Sequence, residues 1–166
     1  MTLSLAFACV FLPMIAEAIV SARHDRALRA RGAIEPEGDV YKVMQLVYPS
    51  CFLILLAEGA LRGVRWDAVM AVGAAIFVAA KALKYWAIAS LGERWTFRVL
   101  VPPGSTPTRR GPYRWINHPN YVAVAGELAG AAVAMHAVGS GVPVTAVFMF
   151  LMWRRIAIED NALARR

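Results

Sequence analysis

The stretch Gly111-Pro112-Tyr113-Arg114-Trp115-Ile116-Asn117-His118-Pro119-Asn120-Tyr121 gathers an imidazole, two phenols, an indole and a guanidinium within eleven residues. His118-Pro119 reads as the mouth of a helix, because proline is favoured in a first turn, where unpaired backbone N–H groups point outward. Such an end receives a carboxylate or another anion. The faces of Tyr113, Trp115 and Tyr121 suit a sulfonium or an adenine ring. Aromatic and basic residues also collect at membrane interfaces as anchors, so the residues alone leave both readings open. A second group, Arg154, Arg155, Glu159 and Asp160, follows near the C-terminus, with Arg155 and Glu159 one turn apart on one helix face. Lys81, Lys84 and Glu127 stand inside apolar stretches. Cys9 and Cys51 both lie in apolar runs, which excludes a disulfide framework and a cysteine-based zinc site. No metal is expected.

The elements that carry these groups are membrane helices. Of 166 residues, 59% are hydrophobic and 17% charged, against ~45–50% and ~25% for a soluble domain. A spanning helix takes ~20 mainly apolar residues. Stretches at about 2–22, 43–61, 67–91 and 119–138 meet that need, and a fifth, about 142–163, is apolar to Trp153 and then polar. Gly32, Pro36 and Gly38 mark the first loop; Gly92 ends the third helix. Pro102, Pro103, Gly104 and Pro107 fill the third loop, and Gly139-Ser140-Gly141-Val142-Pro143 makes a tight hairpin between the last two helices. The expectation is an all-α integral membrane protein of about five transmembrane helices, forming a single membrane domain over 1–166. No strand followed by a glycine-rich turn is found, so no Rossmann domain is expected. Ala16-Glu17-Ala18 resembles a signal-peptide cleavage box, but no basic residue precedes the apolar run, so the first segment is expected to remain as a helix.

Charge orients the bundle. Fourteen of the 18 Lys and Arg residues fall in the first loop, the third loop and the C-terminal end. Two, Arg62 and Arg65, fall in the second loop, and Lys81 and Lys84 lie within the third helix. The positive-inside rule then puts the N-terminus outside, with loops one and three and the C-terminus cytoplasmic. The net charge of +7 is thus a topology signal, and no fold signature for nucleic-acid binding accompanies it. An ion at the bilayer centre costs at least ~2.5–3.5 kcal/mol unless shielded. At ~1.5 Å per residue, Lys84, Glu127 and Arg155 lie ~10–12 Å below the inner surface. Three helices therefore place ions in one layer, which predicts a cavity open to the cytoplasm. Against that stands pairing for structure: Glu127 with Arg155, Glu58 with Arg62 as a helix pair, and Glu17 near the headgroups. Gly73 and its alanine neighbours allow close helix packing, within the chain or between copies, and the oligomeric state is left open.

The sequence resembles the isoprenylcysteine carboxyl methyltransferase family of membrane enzymes. The likeness rests on Gly111-Pro112-Tyr113-Arg114, His118-Pro119-Asn120-Tyr121, Glu127, and Arg155-Ile156-Ala157-Ile158-Glu159-Asp160-Asn161-Ala162-Leu163. Tyr85 to Gly92 and Arg94-Trp95-Thr96 add to it, so that it covers about residues 80–163. Asn117 stands where the family usually has an Arg before His-Pro, and Asp160 stands for a second Glu. The compact form is similar to bacterial members that resemble alkylpyrone O-methyltransferases.

The resemblance implies a methyltransferase using S-adenosylmethionine, with a cofactor-binding half at about 80–163. By it, Tyr113, His118, Pro119, Tyr121 and Glu159 would hold the cofactor. Arg155 would orient the carboxylate or acidic enol of a lipophilic acceptor, either prenylcysteine-like or an alkylpyrone-type lipid, and Glu127 is a second catalytic candidate. The acceptor, a membrane lipid, would slide in laterally between helix three or four and the last helix. The rivals are a phospholipid N-methyltransferase and a non-catalytic membrane subunit or small transporter, the latter predicting no affinity for S-adenosylmethionine.

Overall fold

The computed structural model describes residues 3–104 and 108–164, the side chains of 162–164 excepted. Pro107 of the third loop, Arg165 and Arg166 of the charge pattern, and the Leu163 side chain of the C-terminal motif lie outside the described residues. Five helices follow one another: α1 Leu3–Ala30, α2 Tyr41–Leu61, α3 Ala68–Leu91, α4 Pro119–Ala134 and α5 Gly141–Ala164. Among the described residues no strand forms, and the chain is an all-α integral membrane protein. The only sheet-like contact among them is a single antiparallel bridge between Ile34 and Val101.

Four of the helices are long and apolar enough to cross a membrane. At 28 residues, α1 runs ~42 Å and so outreaches a ~30 Å hydrocarbon core. Arg23 to Arg29, expected as loop, are its last turns, since nothing before Gly32 breaks the helix. α4 has 16 residues, ~24 Å, and stops short of the expected 138. Its end has a definite cause. His136 adopts φ 48°, its N–H bonds the Val133 carbonyl, and the Ala137 N–H bonds Ala132, which is the pattern of a Schellman cap. The His136 ring then meets Asp67 at 3.2 Å, and Asp67 caps α3 by accepting from the Met70 N–H at 2.8 Å.

α3 and α4 are the most intimate pair. Gly73 faces the Ala134 backbone N, and a Cβ built on Gly130 would lie 2.6 Å from the Phe77 backbone N. The small residues of α3 therefore serve packing within the chain. Gly73→Ala forces the two backbones apart, and overpacking of this kind costs ~1–3 kcal/mol. Thermal unfolding in detergent is expected to show the loss.

Loops two and four share one end of the bundle. Glu58 pairs with Arg62 at 2.7 Å as expected, and it also accepts from the Gly139 and Ser140 N–H groups. Loops one and three share the other end. There Arg31 meets Glu93 at 2.6 Å, Arg98 meets Glu35 at 2.7 Å, and the Ser21 hydroxyl accepts from the Phe97 N–H. Burial alone would raise Glu35, but the guanidinium groups of Arg29 and Arg98 outweigh it and hold the carboxyl below its ordinary range.

Candidate functional site

Loop three is seated on α3 by a residue without a side chain. Gly111 has φ 55° and presses on Ser90, with Trp86 Nε1 3.1 Å from where its Cβ would be, so any larger residue collides. The 3-10 turn Gly111–Arg114 that begins there carries Tyr113 toward α5. His118 then precedes Pro119, the first residue of α4, and Tyr121 follows one turn on.

These side chains converge with those of α5. The Tyr121 hydroxyl donates to Glu159 Oε2 at 2.9 Å and accepts from Arg155 Nε at 2.8 Å. His118 Nε2 lies 3.1 Å from Asp160 Oδ1, and its Nδ1 lies 3.9 Å from Glu159 Oε2. Arg155 also donates to the Phe97 carbonyl and sits 3.8 Å from Asp39 and 4.0 Å from Met44 Sδ. Burial, aided by the Glu159 carboxylate, pushes the Tyr113 phenol above its ordinary range, so it stays a hydrogen-bond donor.

Apart from Asp39, which lies behind Arg155, these residues line one cavity of about 620 Å3, within the ~300–1,000 Å3 usual for small-molecule sites. Its polar end holds Tyr113, His118, Asn120, Tyr121, Arg155, Glu159 and Asp160. Its apolar arm runs past Val124, Phe148 and Met152 to Met14 and Ile15 of α1 and Gln45 and Pro49 of α2. The crevice expected against helix three or four is therefore walled by α1 and α2 as well.

Pro119 is buried beneath the loop and does not line the cavity; its place is the first turn of α4. Trp115 reaches the rim but is largely exposed, its ring tilted against Trp86 at 6.0 Å with Arg114 over its face, as an interfacial anchor would be.

Glu127 does not line the cavity either, and its partner is not Arg155. Lys81 and Lys84 share a face of α3 and meet two carboxylates there, Glu17 from α1 and Glu127 from α4. Lys84 lies 2.6 Å from Glu17 and 3.4 Å from Glu127; Lys81 lies 2.9 and 3.1 Å from them. Tyr48 of α2 donates to Glu127 at 2.5 Å. Glu17, expected at the headgroups, is buried in this quartet, because α1 continues inward past it. The ionic layer thus divides into a buried, charge-balanced quartet and a cluster around Arg155 that lines the cavity. Only Lys84 and Tyr48 of the quartet's set touch the cavity.

Sequence reasoning missed Asp39 and the loop-three backbone around Phe97. No motif marks either, since both reach the site only through the pairing of loops one and three.

The donor set suits S-adenosylmethionine. Glu159 and Asp160 offer carboxylates for its ammonium, and Tyr113 and Trp95 offer aromatic faces. The Asn120 Oδ1 is buried with no hydrogen-bond partner among the described residues, an unmet acceptor beside the cavity.

Residues 72–165 match the isoprenylcysteine carboxyl methyltransferase family. The uncharacterized protein YpbQ of Bacillus subtilis strain 168 is 30% identical over 159 residues, covering 96% of this chain and 95% of its own. An uncharacterized protein of Haemophilus influenzae is 23% identical over 163 residues, covering 98% and 95%. No solved structure gives a significant match. The chain belongs to the isoprenylcysteine carboxyl methyltransferase family, a family of membrane methyltransferases.

Proposed function

We propose that this member of the isoprenylcysteine carboxyl methyltransferase family transfers a methyl group from S-adenosylmethionine to the carboxylate or acidic enol oxygen of a lipophilic acceptor. The observation that carries the reading is the convergence of two distant motifs. Tyr113, His118 and Tyr121 meet Arg155, Glu159 and Asp160 around one cavity with a polar and an apolar end.

Bound there, S-adenosylmethionine supplies a methyl on a sulfonium, and the C–S bond breaks, its electrons going to sulfur, as the acceptor oxygen forms the new C–O bond. The residues bind and orient. Glu159, fixed by the Tyr121 hydroxyl, and His118, held by Asp160, form the cofactor end. Arg155 at the junction of the two arms holds the acceptor oxygen and favours its ionised form. A carboxylic acid or acidic enol ionises near neutrality unaided, so no general base is required. The transition state loses charge relative to the separated ions, so the water-poor walls given by Val124, Phe148 and Met152 favour it, and holding the partners in line supplies much of the rest. A guanidinium carries only donors, so at that junction it binds an oxyanion and cannot accept a hydrogen bond from an amine N–H, which sets this reading above N-methylation.

The whole chain works as one unit in this account. The half at about residues 80–163 makes the cofactor end, while α1 and α2 help wall the lipid arm. The bundle end carrying loops one and three faces the cytoplasm, as its excess of arginine requires.

Purified protein in detergent, given methyl-labelled S-adenosylmethionine with S-farnesylated N-acetylcysteine and a long-chain 4-hydroxy-2-pyrone, is expected to label at least one as an ester or enol ether. Label appearing only on amine headgroups of added phospholipid would replace O-methylation by N-methylation.

A further inference from the structure

Arg155 is itself held in place by groups from three other parts of the chain. Two are neutral: the Tyr121 hydroxyl of α4 and the Phe97 carbonyl of loop three. The third is a carboxylate, Asp39 Oδ1, 3.8 Å from Nη1, and it forms the one ion pair of Arg155 among the described residues. Asp39 lies in the turn before α2, outside the segment matched to the family. Its side chain is 4% exposed. Oδ1 accepts from the Tyr41 N–H at 3.1 Å and Oδ2 from the Val99 N–H at 3.2 Å. One small side chain thus joins loop one to loop three and presents its charge to the guanidinium.

Two backbone amides do not compensate a buried carboxylate by themselves, and a buried guanidinium with only neutral acceptors is equally under-compensated. Each ion therefore stabilises the other. We propose that Asp39 is a positioning residue for the acceptor end of the cavity: it fixes the guanidinium of Arg155 where that group meets the acceptor oxygen. This rests on the role given to Arg155 under the proposed function. It follows that the N-terminal part of the chain sets the geometry of a site whose other charged groups come from the C-terminal part.

The rival is a loop clip with no bearing on Arg155. Asp39→Asn keeps the size and one acceptor oxygen and removes the charge. Two measurements separate the readings. The first is the rate at which phenylglyoxal labels Arg155, followed by peptide mass in the presence of S-adenosylhomocysteine. The reagent attacks the neutral guanidine, which a neighbouring carboxylate suppresses, so Asp39→Asn is expected to quicken labelling several-fold. The second is a double-mutant cycle with Arg155→Lys, read in acceptor kcat/KM. Asp39→Asn is expected to cost at least ~10-fold in the wild-type background, chiefly through KM, and under ~2-fold in Arg155→Lys. S-adenosylhomocysteine affinity stays within ~2-fold throughout, because Asp39 meets Arg155 and the Tyr41 and Val99 amides and none of the residues assigned to the cofactor.

Asp39→Glu, which keeps the charge, tests the same cycle with less risk to folding and is expected to lose less. An unchanged labelling rate, or an equal loss in both backgrounds, overturns the proposal. Failure of the wild type to bind S-adenosylhomocysteine would instead overturn the methyltransferase reading. The labelling comparison, repeated without that ligand, would still decide the link between Asp39 and Arg155.

Discussion

Glu127→Ala is expected to destabilise the folded protein by ~3–5 kcal/mol, the cost of breaking a buried ion network by removing one partner. Glu127 is 1% exposed and Lys84 is equally buried, so the loss leaves two lysine ammoniums sharing one carboxylate inside a membrane bundle. Tyr48 loses its acceptor at the same time. Unfolding in detergent with a graded denaturant measures this directly. Glu127→Gln keeps the Tyr48 hydrogen bond and is expected to lose less. In both variants the folded fraction retains wild-type affinity for S-adenosylhomocysteine, because Glu127 does not line the cavity. A variant of normal stability that bound cofactor but turned over nothing would return Glu127 to the chemistry.

Glu159→Ala is expected to cut S-adenosylhomocysteine affinity by up to ~100-fold, since hydrogen bonds to charged groups are worth ~1.5–3 kcal/mol each. Its carboxylate is the acceptor for the Tyr121 hydroxyl and faces His118, so its loss also frees both neighbours. His118→Ala is expected to act in the same direction, with Asp160 left unpaired. Isothermal titration reads both. Stability changes little, because Glu159 and Asp160 are partly exposed and belong to no buried ion pair. Wild-type affinity in both variants would remove these residues from the cofactor end.

The fold class and the grouping of the candidate site are largely legible in the sequence. Hydropathy marks the helices because each must present ~20 apolar residues to lipid, and the alternation of arginine-rich loops matches the two ends at which loops actually meet. The joining of His118 and Tyr121 to Glu159 was legible only through the family resemblance; periodicity says nothing about a contact between residues so far apart in sequence. Other features depend on how helices rotate about their axes. Glu17 reads as a headgroup residue in the sequence, yet it faces α3 and meets two lysines. Glu127 and Arg155 lie at similar depth, and depth alone suggested their pairing. α4 turns Glu127 toward α3 instead, where Gly73 and Gly130 draw the two helices together. The early end of α4 hangs on the left-handed backbone of His136, a conformation few non-glycine residues adopt and no hydropathy pattern announces. Asp39 carries no signal of its own in the loop marked by Gly32, Pro36 and Gly38, because its meaning comes from Val99 and Arg155, both brought to it by tertiary structure.

Titration of the wild-type protein in detergent with S-adenosylhomocysteine tests the central claim most directly. Saturable binding at one site per chain, abolished or weakened by Glu159→Ala and His118→Ala, is the result predicted. Absence of any saturable heat up to millimolar ligand, in protein shown to be folded, would contradict the account and leave the cavity to some other use.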